Sequence, residues 1–117
     1  MQPVDAVTAL AAVAQEHRLA AFRLLVQAGE DGMPAGAIAD ALGIPNSSLS
    51  FHLSHLLRAG LIRQQRRSRS LIYSADYAAM NALVFYLTEN CCQGAACGAD
   101  VACTADAAAS QAERKRA

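Results

Sequence analysis

A chain of 117 residues, 54% of them hydrophobic and with ten Lys and Arg balanced by ten Asp and Glu, is expected to form one domain with a modest core that a second subunit would usefully enlarge. No apolar run reaches the length of a membrane span, and the start MQPVDAVTAL lacks the basic head of a secretion signal, so the expected place is the cytoplasm. There the four cysteines are expected as reduced thiols, not as two disulfides.

Taken in order, Val4, Val7, Leu10, Ala11 and Ala14 form a narrow helical stripe of small and branched side chains, suited to close helix packing. Glu16 to Ala28 repeats the pattern with Leu19, Phe22, Leu25 and Val26, and Gly29 ends it, while His17 and Arg18 in the first turn read as solvent-exposed. Pro34 opens a short helix whose buried side is Ile38, Ala41 and Leu42, and Gly43 supplies its cap. A tight glycine turn between this helix and the next is a helix-turn-helix signature. The next helix starts near Asn46, with Asn46 or the adjoining serines as cap. It carries Leu49, Leu53, Leu56 and Leu57 on one stripe and Ser47, Ser50, Phe51, Ser54 and Arg58 on the other. Ala59-Gly60 stops it. Leu61, Ile62, Leu71, Ile72 and Tyr73 then read as two strands around a basic turn. That turn has no glycine or asparagine, so a long, mobile loop is expected in place of a tight one. Tyr77 to Glu89 is a last helix with Met80, Leu83, Val84 and Leu87 at apolar spacing, broadened by Phe85 and Tyr86. So wide an apolar surface calls for a partner, either the first helix or a second copy.

Charge points to the partner. No Asp or Glu stands between Asp40 and Asp76, yet Arg58, Arg63, Arg66, Arg67 and Arg69, half of the ten basic residues, lie there. A positive patch segregated in a neutral chain is the footprint of a phosphate-binding surface, and short polar groups on the adjoining helix suit a DNA groove. The candidate DNA-binding residues are Asn46, Ser47, Ser48, Ser50, His52, Ser54, His55, Arg66, Arg67 and Arg69. A merely solvated amphipathic helix would not need the acid-free window.

The run ALGIPNSSLSFHLSHLLRAGLIRQQRRSRSLIYS resembles the winged helix-turn-helix of the ArsR family of metal- and metalloid-responsive repressors, through Ser50-Phe51-His52-Leu53 and a basic wing closed by Tyr73. The likeness extends from about Val7 to Cys97. It implies a mainly α fold with a β-hairpin wing, and a homodimer that binds double-stranded operator DNA and leaves it on meeting an inducer. The expected organisation is a DNA-binding and dimerisation domain over 1–90, joined through its first and last helices, a cysteine-rich inducer segment over 91–103 and a disordered tail over 104–117. No cofactor is expected for DNA binding and no enzymatic activity: there is no Cys-x-x-Cys, anion loop or alternating strand-helix pattern for a thiol enzyme.

All four cysteines, Cys91, Cys92, Cys97 and Cys103, fall in ENCCQGAACGADVAC with no histidine nearby. Thiolates select soft centres. Zinc usually wants four tetrahedral ligands, and the vicinal pair lacks the usual spacing. Trivalent arsenic or antimony wants three, which Cys91, Cys92 and Cys97 supply, with Cys103 as reserve. Familiar arsenic-responsive members carry Cys-x-Cys before the recognition helix, where this chain has GAIADALGI, and zinc-responsive ones place His on the last helix, where it has YAAMNALVFYLTEN. The vicinal pair after Thr-Glu-Asn resembles another arsenite-responsive branch. A zinc- or cadmium-type sensor and a thiol-redox switch are the alternatives, as is a merely structural role as small buried hydrophobes.

Overall fold

The computed structural model describes residues 1–94, and the chain divides into two units, Met1–Leu87 and Thr88–Ala117. The first contains α1 (Pro3–Val13), α2 (Glu16–Ala28), β1 (Met33–Pro34), α3 (Ala35–Leu42), α4 (Asn46–Arg58), β2 (Ile62–Arg67) and β3 (Ser70–Ala75), and α5 (Tyr77–Thr88) begins in it. Among the described residues no helix is long and apolar enough to cross a membrane.

The core is built from one stripe of each of the helices α1 to α4. Leu25 of α2, Ile38 of α3, Leu49, Leu53 and Leu56 of α4, and Leu61 just after it are fully buried. Burial of a leucine or isoleucine is worth about 1.5–3 kcal/mol each, so this cluster holds α2, α3 and α4 as one block. Gly43 adopts a left-handed conformation (φ 68°) and its N–H donates to the Ala39 carbonyl at 2.8 Å, which ends α3 and turns the chain into α4. The sheet order is β1-β3-β2. Met33 pairs with Tyr73, and Ile62 to Arg67 pair antiparallel with Ala75 to Ser70. Gly32 makes the β1 pairing possible, because a Cβ there would meet the Tyr73 carbonyl and stand 2.9 Å from Ile72 Cγ2.

Several sequence expectations change. On α1 the buried residues are Ala6, Ala9 and Ala12, whereas Val4 and Val7 are 69% and 64% exposed; the alanines face inward because they let α1 approach closely, and the bulky stripe faces outward. The cap of α4 is Pro45, with extended backbone and no side-chain hydrogen bond, in place of Asn46 or a serine. The hairpin turn is tight, with Arg67 paired to Ser70 and Ser68 accepting the positive φ (55°). β1 has no strand pattern in the sequence, being two residues of which one is a proline.

α5 follows an Asp76 cap, whose Oδ1 accepts from the Ala79 N–H at 3.0 Å. Its first turn is tied down by Tyr77, whose hydroxyl donates to the Val26 carbonyl at 2.9 Å. None of its residues is buried; Val84, Phe85 and Leu87 are exposed.

Candidate nucleic-acid interface

α4 lays its leucines into the core and so turns the opposite stripe outward: Asn46, Ser47, Ser48, Ser50 and Phe51 are exposed, and Ser54 and His55 half-buried. With Pro45 making no side-chain cap, the first-turn amides of α4 keep the partial positive charge of a helix start, a favourable place for a phosphate. At the other end, Arg58 Nη1 donates to Ser54 Oγ at 3.3 Å.

His17 was expected as surface decoration, yet its ring lies 5.7 Å from that of His52. Arg18 is fixed beside it by two hydrogen bonds, its Nε donating to the Ala12 carbonyl at 2.6 Å and its backbone N–H to Gln15 Oε1 at 3.0 Å. The start of α2 thus forms a second row behind α4 that sequence reading missed; the only hint was the proximity of His17 and Arg18, since their α4 partners are far along the chain. His52 is half-buried with Nδ1 lacking a hydrogen-bond partner. Its imidazole is held below the ordinary histidine range by desolvation, then by the charge of Arg18 and by His17 and His55. His55 is lowered likewise, by desolvation, Arg18 and Arg58.

A depressed histidine favours its neutral form in the fold, so the stability it confers is complete above the unfolded value of about 6.5 and is lost as pH falls through the lower folded value. DNA phosphate near the same rings would act in reverse by favouring the imidazolium. The free protein should therefore melt at lower temperature as pH drops below 6.5, while duplex binding takes up protons and tightens relative to a His52→Gln, His55→Gln variant. Melting curves and duplex titrations over that range check both signs.

In the hairpin, alternation places Ile62, Gln64 and Arg66 on one face with Tyr73, and Arg63, Gln65 and Arg67 on the other. Gln64 Nε2 donates to the Tyr73 hydroxyl at 3.0 Å. Arg67 Nη1 donates to the Asp31 carbonyl at 3.4 Å, and Arg63 and Arg67 line an open groove with Glu30 and Asp31. The window that is acid-free in sequence is therefore not acid-free in space on that face. Arg66 and the turn residue Arg69 lie outside this groove.

The second unit offers Cys91 and Cys92 in the turn Cys91–Gly94, with Sγ atoms 3.7 Å apart and exposed. Two bonds of about 2.3 Å from one centre span that separation, so the pair fits a shared thiophilic atom. Among the described residues no three His, Cys, Asp or Glu are grouped to hold a metal. The third-ligand candidates Cys97 and Cys103, and the tail expected over 104–117, lie outside the described residues.

Residues 13–65 match the family model described as a helix-turn-helix domain. The HTH-type transcriptional regulator YgaV of Escherichia coli is 31% identical over 79 residues, covering 68% of this chain and 80% of that protein. An ArsR-like transcriptional regulator from Rhodococcus sp. RHA1 shares the fold at a TM-score of 0.69 and 22% identity, over 78% of this chain and 83% of its own. The homodimeric winged helix-turn-helix DNA-binding domain of Mb0332 from Mycobacterium bovis, a possible ArsR-family regulator, superposes at a TM-score of 0.59 and 25% identity, over 79% and 85%. These relatives are transcriptional regulators, not enzymes.

Proposed function

This chain belongs to the HTH-type transcriptional regulators, and on that premise we propose that it is a DNA-binding homodimeric repressor of the ArsR type, released from its operator by trivalent arsenic or antimony. One observation carries the choice of inducer: the gathering of all four thiols in one segment directly after α5. The vicinal pair is spaced for one soft atom, and a reduced Cys97 or Cys103 would complete a three-sulfur pyramid. Dimerisation is supported by the outward apolar residues of α1 and α5, Val4, Val7 and Leu10 with Leu87, and by the homodimeric Mycobacterium bovis relative. A second copy packed through these first and last helices would set the spacing of the two α4 helices on successive major grooves.

The exposed vicinal sulfurs, 3.7 Å apart, also suit a second reading, in which thiol oxidation takes the inducer's place. A titration of the protein on its promoter duplex, followed by fluorescence anisotropy, separates the two. Release by arsenite or antimonite under reducing conditions, without release by zinc or cadmium, is the expected result. Release by peroxide alone would support the redox switch instead.

A further inference from the structure

Phe51 is 60% exposed at the middle of the outward face of α4. Its helical neighbours one turn away are Ser47 and Ser48 on one side and Ser54 and His55 on the other. A large apolar ring among hydroxyls is out of keeping with a face that only meets water, because nothing there removes its surface from solvent. Its orientation is not left loose: the His55 ring meets it edge-on with centroids 4.6 Å apart, and the His52 ring stands at 5.9 Å. The exposed ring is thus buttressed from two sides and presented outward.

We propose that Phe51 is a specificity-determining residue that reads the C5-methyl group of a thymine in the major groove. The inference rests on the reading of α4 as the helix that enters that groove. Of the groups that base edges display there, the thymine methyl is the apolar one, and apolar side chains recognise it. The flanking serines can bond to several bases and so discriminate weakly. An aromatic ring at their centre supplies the selectivity they lack.

The test uses the full-length protein and a duplex it selects from a random pool. Each thymine within the protected region is replaced in turn by deoxyuridine, which removes the methyl group and keeps every hydrogen-bonding group. The wild type is expected to lose roughly fourfold in affinity at one thymine per half-site, the weight of burying one methyl-sized group. Phe51→Ala should bind the thymine and uracil duplexes equally, and Phe51→Leu should retain part of the discrimination. Because Phe51 lies outside the core, Phe51→Ala should melt as the wild type does. Discrimination that persists in Phe51→Ala, or its absence in the wild type, overturns the proposal. If Phe51→Ala, Ser47→Ala and Ser50→Ala all bind the selected duplex as the wild type does, α4 does not read the groove, and the underlying reading fails with it.

Discussion

Arsenite should release the reduced wild-type protein from its operator and leave Cys91→Ser, Cys92→Ser and Cys97→Ser bound to it. The expectation follows from reciprocity: an inducer that weakens DNA binding is itself bound less tightly by the DNA-bound form, with couplings of about 1–3 kcal/mol, or ~5–150-fold. Removing one of three sulfurs removes that coupling and spares the reader, because α4 and the hairpin contain no cysteine. The chemistry adds a second signature. Three neutral thiols exchange with the three hydroxyls of arsenous acid to give three water molecules and no net proton, so release should vary only shallowly between mildly acidic and neutral pH. Zinc capture by protonated thiols frees protons and weakens sharply as pH falls. Cys103→Ser should respond almost normally; the reverse pattern, with Cys97→Ser responsive and Cys103→Ser locked on DNA, would exchange the third ligand. Release by arsenite from a variant lacking both Cys91 and Cys92 would exclude the vicinal pair as sensor. Preserved DNA binding in each serine variant distinguishes a lost ligand from an unfolded α5.

What was legible in the chain depended on whether the deciding partner was near in sequence. The bounds of α2, Glu16–Ala28, are plain in the sequence because its apolar spacing stops at Gly29, which takes φ 86°. The leucine stripe of α4 was equally plain, since Leu49, Leu53 and Leu56 repeat at one face. On α1 hydrophobicity alone points to the wrong side: it ranks valine above alanine, but Ala6, Ala9 and Ala12 win the inner face by size. The tight wing turn has no signal in the sequence because Ser68, a residue with no strong preference for positive φ, adopts it. Long-range pairings were the least visible. The His17–His52 ring contact and the groove that sets Arg63 and Arg67 beside Glu30 and Asp31 join segments that no local pattern connects. The cysteine cluster was visible as a constellation, whereas the choice among its members depends on geometry that spacing does not specify.

The spatial placing of the wing arginines sharpens the second large effect, a loss of salt-sensitive DNA affinity. Arg66→Ala with Arg67→Ala should weaken specific and nonspecific duplex alike, on the order of tenfold or more at low salt, and flatten the plot of log affinity against log salt by about 0.9 per lost phosphate contact. The two residues alternate across the strand, so the single variants should differ. Arg67 already donates to the Asp31 carbonyl and shares its groove with Glu30, which leaves less of its charge for phosphate. Arg66, exposed on the other face, should account for most of the change in slope. Ser50→Ala should do the opposite, eroding the preference for operator over random duplex with the slope intact, because a base-edge contact displaces few counterions. Titrations at three or more salt concentrations separate these outcomes. A double arginine variant with full affinity and an unchanged slope would mean that the wing does not touch phosphate, and that α4 carries recognition alone.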